Sequence, residues 1–506
     1  MKNNYVINDL DKYDSIIVYG AGIVGIRTLL LLRSLGIKRE KIKVWDRSYK
    51  NIHILLDYDV IKPEFMKPKK DKKTLVIIAL LSNIHSQDAK DMHEKFLSVG
   101  YDNIIFAEKF LNINMSTEMC SASTFKDDEY EDFMYEDNID FSNYSSKIKP
   151  IAFYLPQFHE IPENSEWWGE GFTEWTNTKK AKPNFPGHYQ PREPHDSIGY
   201  YDLSDVYAIR KQVKIAKQHG IYGWGIYYYW FSGKKVLIKP IDIILENNDI
   251  DIKYFLVWCN DAWSKRWIGD ESQVLIDNEY NDDDPIHFID DLKKYIKDKR
   301  YIHLDDKPII MIYQIHRIPN LRKLVKKWRD RAIEIGIGEI AIITTTVILT
   351  QNEMGVSDLF DGEADFCPVF MTPKGIKLTD EDNNIVSDRM CYYSNFSDNY
   401  KKSIDNRTPN SYYSLVCGFD NTPRYGKKAS IFSLGFTRKH FYDMARWVVE
   451  ISEKNNREFF FIFAWNEWAE SAYLEPDKKY GYALINTFSK ALYNLPLDYN
   501  DKERDL

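Results

Sequence analysis

From residue 149 onward the chain repeats one pattern: a short, strongly apolar run, then polar and aromatic residues, then a longer amphipathic stretch. Eight such runs stand at 150–155, 222–229, 254–259, 309–313, 340–346, 365–370, 412–419 and 459–464. Runs this apolar suit strands buried on both faces, as parallel sheets require. Helical patterns lie between most of them, at 203–219, 285–298, 321–335, 439–454 and 483–493. Eight strand–helix units predict a (β/α)8 TIM-type barrel with long insertions. The insertion from 157 to 201 is too long for a simple connection, and long loops in compact domains usually carry function.

Residues 15–112 alternate strand and helix on a smaller scale. Strands are expected at 15–19, 41–45, 75–80 and 103–106, with helices to residue 35 and over 88–99. This reads as a small Rossmann-like parallel sheet, an accessory domain over 1–112 in an α/β protein. Gly20, Gly22 and Gly25 follow a strand and open a helix. Asp46 ends the next strand, where the acid that holds a ribose belongs. A nucleotide or nucleotide-sugar would fit such a turn. A small accessory domain can also keep the turn without the ligand. Between the two patterned regions, residues 113–148 crowd acidic side chains among Ser and Asn, which predicts a solvated acidic linker. The barrel domain would then span 149–506.

Composition narrows the function. Net charge is −8 and charged residues make up 28%, with no long basic stripe, so nucleic acid is not the expected partner. The first residues lack the apolar core of a secretory signal, and no run is long enough for a membrane helix. Cys120, Cys259, Cys367, Cys391 and Cys417 are scattered, without metal-type spacing. These features predict a cytoplasmic protein with no disulfide framework and no metal site.

In barrels of this kind chemistry gathers at the carboxyl ends of the strands. Polar and aromatic residues recur there: Gln157 and His159; Tyr228, Tyr229 and Trp230; Asn260, Asp261 and Trp263; Gln314; Asp420 and Asn421; Asn466, Glu467 and Glu470. The last set follows the run Phe459 to Ala464 and is flanked by Trp465 and Trp468. Glu467 and Glu470 are three apart, which on a helical turn puts them on one face with Cβ atoms roughly 5–6 Å apart. In a dry pocket two such carboxyls cannot both ionise easily, so one becomes a proton donor beside a base. Paired carboxyls of this kind break and remake glycosidic bonds. An ordinary acid pair at a helix start is the bland alternative. The 157–201 insertion carries Trp168, Glu174 and Trp175 among glycines, either a platform for sugar rings or a set of aromatic anchors. Tyr154, at the end of the first run, and Trp468 complete the expected sugar contacts. His159 and His188 are more ordinary as hydrogen-bonding groups than as catalysts.

With these residues in hand, the chain resembles WbsX-type proteins, glycosyltransferases of bacterial surface-polysaccharide clusters related to glycoside hydrolase family 99. The resemblance rests on 151–159, 167–177, Gly187-His188-Tyr189-Gln190-Pro191, Tyr229-Trp230-Phe231, Asn260-Asp261-Ala262-Trp263 and Asp420-Asn421-Thr422. It covers about residues 149–495. Asn466-Glu467-Trp468-Ala469-Glu470 matches the Asn-Glu-Trp-x-Glu motif of the family 99 barrels, which cleave α-mannosidic bonds with retention. The resemblance implies that Glu467 takes a proton from the sugar 2-hydroxyl, and that Glu470 protonates the leaving oxygen. Ala469, Ser471 and Asn260-Asp261-Ala262-Trp263 depart from the commoner residues and put the choice of sugar in doubt.

The expected activity is therefore formation or remodelling of glycosidic bonds in surface polysaccharide, with an oligosaccharide or lipid-linked glycan as substrate and no required cofactor. An endo-acting hydrolase of family 99 type is the alternative. A non-catalytic carbohydrate-binding protein is the second alternative.

Overall fold

The computed structural model describes residues 10, 12–47, 49, 54–56, 58–65, 71–80, 87–107, 118–121, 131–264, 274–347, 350–366, 376–379, 385–404 and 407–497. Its N-terminal part is a parallel sheet with the spatial order Tyr58–Ile61, Ile42–Trp45, Ser15–Tyr19, Asp71–Ile78, Tyr101–Phe106. A two-residue strand, Ile54–Leu55, lies antiparallel at one edge. Alternation along each strand sends side chains to opposite faces. Ile16, Val18, Val44, Leu75 and Ile77 bury one face with Leu29 of helix Ile23–Ser34. Ile17, Tyr19, Val76 and Ile78 bury the other with Met92 and Phe96 of helix Gln87–Ser98. The edge strands at 54–61 went unpredicted. They are short and, at Asp59 and Ile61, open to solvent, so no sustained apolar run marks them.

Residues 131–148 are mostly open to solvent, with a few side chains anchored on the barrel. Glu131 is buried, and Arg192 grips it through both terminal nitrogens at 2.5 and 2.8 Å. Phe133 and Phe141 are buried, and Glu136 trades backbone bonds with Tyr480 and Tyr482 while its carboxylate meets Arg438 at 2.5 Å. Charge alone suggested water; the barrel supplies the cations that make burial tolerable. Apart from a strand at Glu118–Ser121, which pairs with Ile376–Thr379, the rest of the expected linker lies outside the described residues.

The barrel strands are Lys149–Tyr154, Gly223–Phe231, Lys253–Trp258, Lys307–Ile312, Ala341–Thr345, Gly362–Ala364, a seventh over 411–416 and Phe459–Phe463. Every neighbouring pair is parallel. The seventh strand breaks at Tyr413: Ser411–Tyr412 pairs with the sixth strand and Ser414–Val416 with the eighth, which carries the sheet round. A helix follows each strand: Val206–Gln218, Lys239–Glu246, Asp284–Ile296, Leu321–Glu334, Gln351–Met354, Tyr393–Ser403, Arg438–Lys454 and Ala483–Leu492. Asp205 starts the first by accepting from the Tyr207 backbone N–H, and Ile209, Val213 and Ala216 face inward at helical spacing.

The barrel interior is aromatic. Phe153 stacks on Phe461 at 5.4 Å and meets Phe366 at 4.7 Å. Gly225 leaves the room they need: a Cβ there would lie 3.0 Å from Phe255 and 3.3 Å from Phe153. The sixth strand sits earlier than expected, at 362–364 rather than 365–370, and residues 367–370 lie outside the described residues. No helix among the described residues is long and apolar enough to cross a membrane.

Candidate active site

The eighth strand is wholly buried and ends on a small hairpin. Asn466–Glu467 pairs antiparallel with Ala472–Tyr473, across a 3-10 turn at Trp468–Glu470 closed by Ser471 in the left-handed region, φ 49°. The turn brings both carboxylates within reach of one guanidinium, that of Arg424. The Asn466 side chain accepts from Leu155 N at 2.8 Å and donates to Leu155 O at 3.0 Å, locking the exit of the eighth strand to that of the first. Trp468 stacks on Tyr473 at 3.9 Å, with its Nε1 on Glu475 at 2.7 Å.

Glu467 and Glu470 line a cleft of about 200 Å³ at the carboxyl ends of the barrel strands. Aromatic walls come from Trp168, Tyr227, Tyr229, Trp263, Tyr313 and Phe366, and polar groups from Gln157, Asp261 and Arg424. Trp263 meets Tyr229 edge-on at 5.2 Å and Trp167 at 5.9 Å. Asp261 lies 3.3 Å from Arg317. Two buried groups of this wall, Gln157 Nε2 and Tyr227 OH, have no hydrogen-bond partner among the described residues.

Arg424 binds the carboxylates together. It reaches Glu470 through Nη1, Glu467 through Nη2 at 3.2 Å, and Glu174 through Nε at 2.9 Å and Nη2 at 2.5 Å. Burial, then the charge of Glu470, pushes Glu467 up to about 8, with Arg424 pulling against them. Burial raises Glu470 as well, again against the pull of Arg424. The Glu470 side chain keeps 17% exposure and that of Glu467 7%, so Glu470 is the more open to the cleft.

Of the residues expected at the site, Gln157, Trp168, Tyr229, Asp261, Trp263, Glu467 and Glu470 line the cleft, and Glu174 stands behind it on Arg424. The others are not among the cleft-lining residues and make the following contacts. Tyr154 stacks on Trp224 at 4.4 Å and donates to Gln212. His159 is buried on Pro156 O at 2.9 Å, and burial lowers its basicity. Trp175 donates to Tyr201 O, and Trp230 donates to Asp284. Asn260 clamps the Gln314 backbone, accepting at 2.8 Å and donating at 2.9 Å. Asp420 is held by His188 and Gln190, each at 2.7 Å, and accepts from the Thr422 N–H at 2.9 Å. It thereby shapes the turn that carries Arg424, over Thr422–Tyr425. Asn466 and Trp468 brace the hairpin as above. Arg424, Tyr227, Tyr313 and Phe366 were not foreseen; for Arg424 the signal was its place two residues beyond Asp420-Asn421-Thr422.

In the N-terminal sheet Gly20 has φ +116°, a Cβ on Gly25 would fall 1.9 Å from Gly20 O, and the space at Gly22 is open. Asp46 Oδ2 accepts from the Ala21 backbone N–H at 2.6 Å, so the acid closes this turn. Among the described residues no group of His, Cys, Asp and Glu could hold a metal ion.

Comparison with known proteins gives the family. The model of glycosyltransferase WbsX matches residues 150–488. The protein WxcX of Xanthomonas campestris pv. campestris, described as uncharacterized, is 34% identical over 352 residues, 68% of this chain and 50% of its own length. A second strain's WxcX matches equally. This chain thus spans about half the length of the curated relatives it matches. Among solved structures, the GH99 endo-alpha-mannosidase of Bacteroides thetaiotaomicron is similar at 14% identity and TM-score 0.40, over 67% of this chain and 95% of that one. A glycoside hydrolase-like protein is similar at 14% identity and TM-score 0.44, over 73% and 99%. The chain belongs to the WbsX glycosyltransferase family, which places its barrel among carbohydrate-active enzymes.

Proposed function

We propose that this WbsX-family barrel forms or remodels glycosidic bonds of bacterial surface polysaccharide, with retention, through Glu467 and Glu470. The observation that carries the reading is a pair of carboxyls, Glu467 buried and Glu470 partly open, held by Arg424 at the mouth of an aromatic cleft. Burial raises both carboxyls, Glu467 to about 8, which favours a protonated donor beside an ionised acceptor. One carboxylate takes the proton of the sugar 2-hydroxyl as O2 bonds to the anomeric carbon. The bond from that carbon to the leaving oxygen breaks, and the other carboxyl gives that oxygen its proton. The second half reverses the roles: the acceptor hydroxyl loses its proton to the carboxylate and bonds to the anomeric carbon, the C–O2 bond opens, and O2 regains a proton. Two inversions leave the original configuration. Trp168, Tyr229 and Trp263 offer faces and edges for sugar C–H surfaces.

The substrate in this reading is an oligosaccharide or lipid-linked glycan, handled in the cytoplasm. Buried free thiols at Cys259, Cys391 and Cys417 favour a reducing compartment. The catalytic domain is taken as 149–506, joined through 113–148 to a Rossmann-like accessory domain over 1–112. The parallel strand order and the glycine geometry at Gly20 and Gly25 support that description.

The test is Glu470→Gln, assayed on neutral α-linked oligosaccharides with and without nucleotide sugars. Turnover should fall on the order of 10²–10⁴ while glycan binding survives. New linkages define a transferase, and reducing ends released without a donor define a hydrolase. Undiminished turnover would remove the pair from the reaction.

A further inference from the structure

Arg424 has no part in the proton transfers just described, yet it occupies the centre of the site. Three carboxylates converge on it, with Glu174 taking Nε and part of Nη2 and leaving Nη1 to Glu470. The 3.2 Å contact to Glu467 is the loosest of the set. The guanidinium does not lose its proton in proteins, so it is a fixed positive charge set against a group of acids.

Its placement is built in from behind. The Asp420 carboxylate accepts from the Thr422 backbone N–H and hydroxyl, which winds the turn bearing Arg424. The Asp420 backbone N–H donates to Glu470 O at 2.7 Å, tying that turn to the hairpin of the pair. Gln190 joins Asp420 to Ser471, the residue that closes the hairpin. Arg424 and the two glutamates are thus parts of one braced unit.

Resting on the reading above, we infer that Arg424 is a positioning residue that decides how many protons the Glu467–Glu470 pair holds at neutral pH. Without a cation, two neighbouring carboxyls beside the buried Glu174 would both stay protonated, leaving a donor and no base. With it, one carboxylate of the pair can carry charge while the other keeps its proton. The other groups near the pair do not supply this. Tyr227, Tyr229 and Cys259 are buried with their ionisation pushed far upward by desolvation, so they stay neutral. Tyr313 and Tyr425 also line the cleft, and Asp261 is matched by Arg317 at 3.3 Å.

The experiment compares full-length wild type, Arg424→Gln and Arg424→Lys. It reads the pH profile of glycan turnover, the infrared titration of the carboxyls against Glu467→Gln and Glu470→Gln, and the melting temperature. Arg424→Gln should move the acidic limb of the profile upward by about one to three pH units. Its turnover at neutral pH should fall on the order of 10²-fold. Arg424→Lys keeps the charge and should hold the limb within about one unit of wild type. A lowered melting temperature and rate with an unmoved limb would show a purely structural role and overturn the inference. Should Arg424→Gln not fold, Arg424→Lys decides: a limb near wild type supports the inference, and one displaced by more overturns it. If wild type turns over no glycan, the proposed reaction fails. The infrared titration still judges Arg424, because its loss must raise the pH at which the pair ionises, and an unshifted band refutes the inference.

Discussion

Replacing Glu467 by Gln should make the protein more stable as pH rises, although it removes a residue central to the proposed chemistry. In the folded protein Glu467 is pushed from an ordinary 4.5 up to about 8, chiefly by burial. A group whose folded-state value is raised contributes stability that is fully present below the unfolded value and is lost as pH climbs through the folded one. For Glu467 the loss runs from about pH 4.5 to about pH 8 and amounts to about 5 kcal/mol. The amide keeps the shape of the side chain and never pays to bury a charge. Its oxygen can still accept from Arg424, and the attraction of that cation for the charged form is already contained in the value of about 8. Arg424 also retains Glu174 and Glu470, so the guanidinium is not stranded. The balance is near zero in acid and turns increasingly toward the variant at the alkaline end, by at most about 5 kcal/mol. Melting curves of wild type and Glu467→Gln, followed by tryptophan fluorescence across that range, should separate with increasing pH. A melting difference that stays flat, or narrows as pH rises, would refute the charge assignment.

The barrel was legible because its strands are buried on both faces, so the runs at 459–464 and 254–259 could hardly be anything else. Elements with a solvent edge or a break were harder. The seventh strand is interrupted at Tyr413, and the sixth has only three paired residues. Within the site, Glu467 and Glu470 were legible because they follow directly on the most apolar run. Tyr227 was missed by looking only beyond strand ends. Alternation puts Tyr227 and Tyr229 on the cleft face and turns Tyr228 to Asp291 and Trp230 to Asp284, which a period of two could have shown. Arg424 was missed for a deeper reason: its place just beyond Asp420-Asn421-Thr422 marks the loop, but its meeting with Glu467 and Glu470 depends on that loop folding back over the eighth strand. In the acidic stretch only the anchoring residues were hidden. Its charges do predict solvation in isolation, but Arg192 and Arg438 lie far away in sequence and meet Glu131 and Glu136 only in the fold.

Gln157 Nε2 and Tyr227 OH are buried without partners among the described residues, so a bound sugar hydroxyl is their natural one. Gln157→Ala and Tyr227→Phe should each weaken glycan binding about 3- to 10-fold, read by calorimetric titration, with melting temperature unchanged or raised. Unchanged affinity would take both groups out of the subsite. Asp420→Asn tests the support beneath Arg424. Asp420 uses one oxygen for the Thr422 N–H and hydroxyl and the other for His188 and Gln190. An amide can accept at only one of these places, so its NH2 must face donors at the other. The cost should be about 3 kcal/mol or more at neutral pH. Although burial opposes its charge, His188 and the hydrogen bonds from Thr422 and Gln190 hold Asp420 well below the usual carboxylate range. A depressed value gives stability that is present above the unfolded 3.8 and is lost as pH falls toward the folded one. The melting difference between wild type and Asp420→Asn should therefore be full at neutral pH and shrink only below about pH 4. Turnover should fall with it, because the turn bearing Arg424 loses its brace. A variant that melts like wild type at neutral pH, or a difference that persists undiminished in strong acid, would show that Asp420 does not carry this charge.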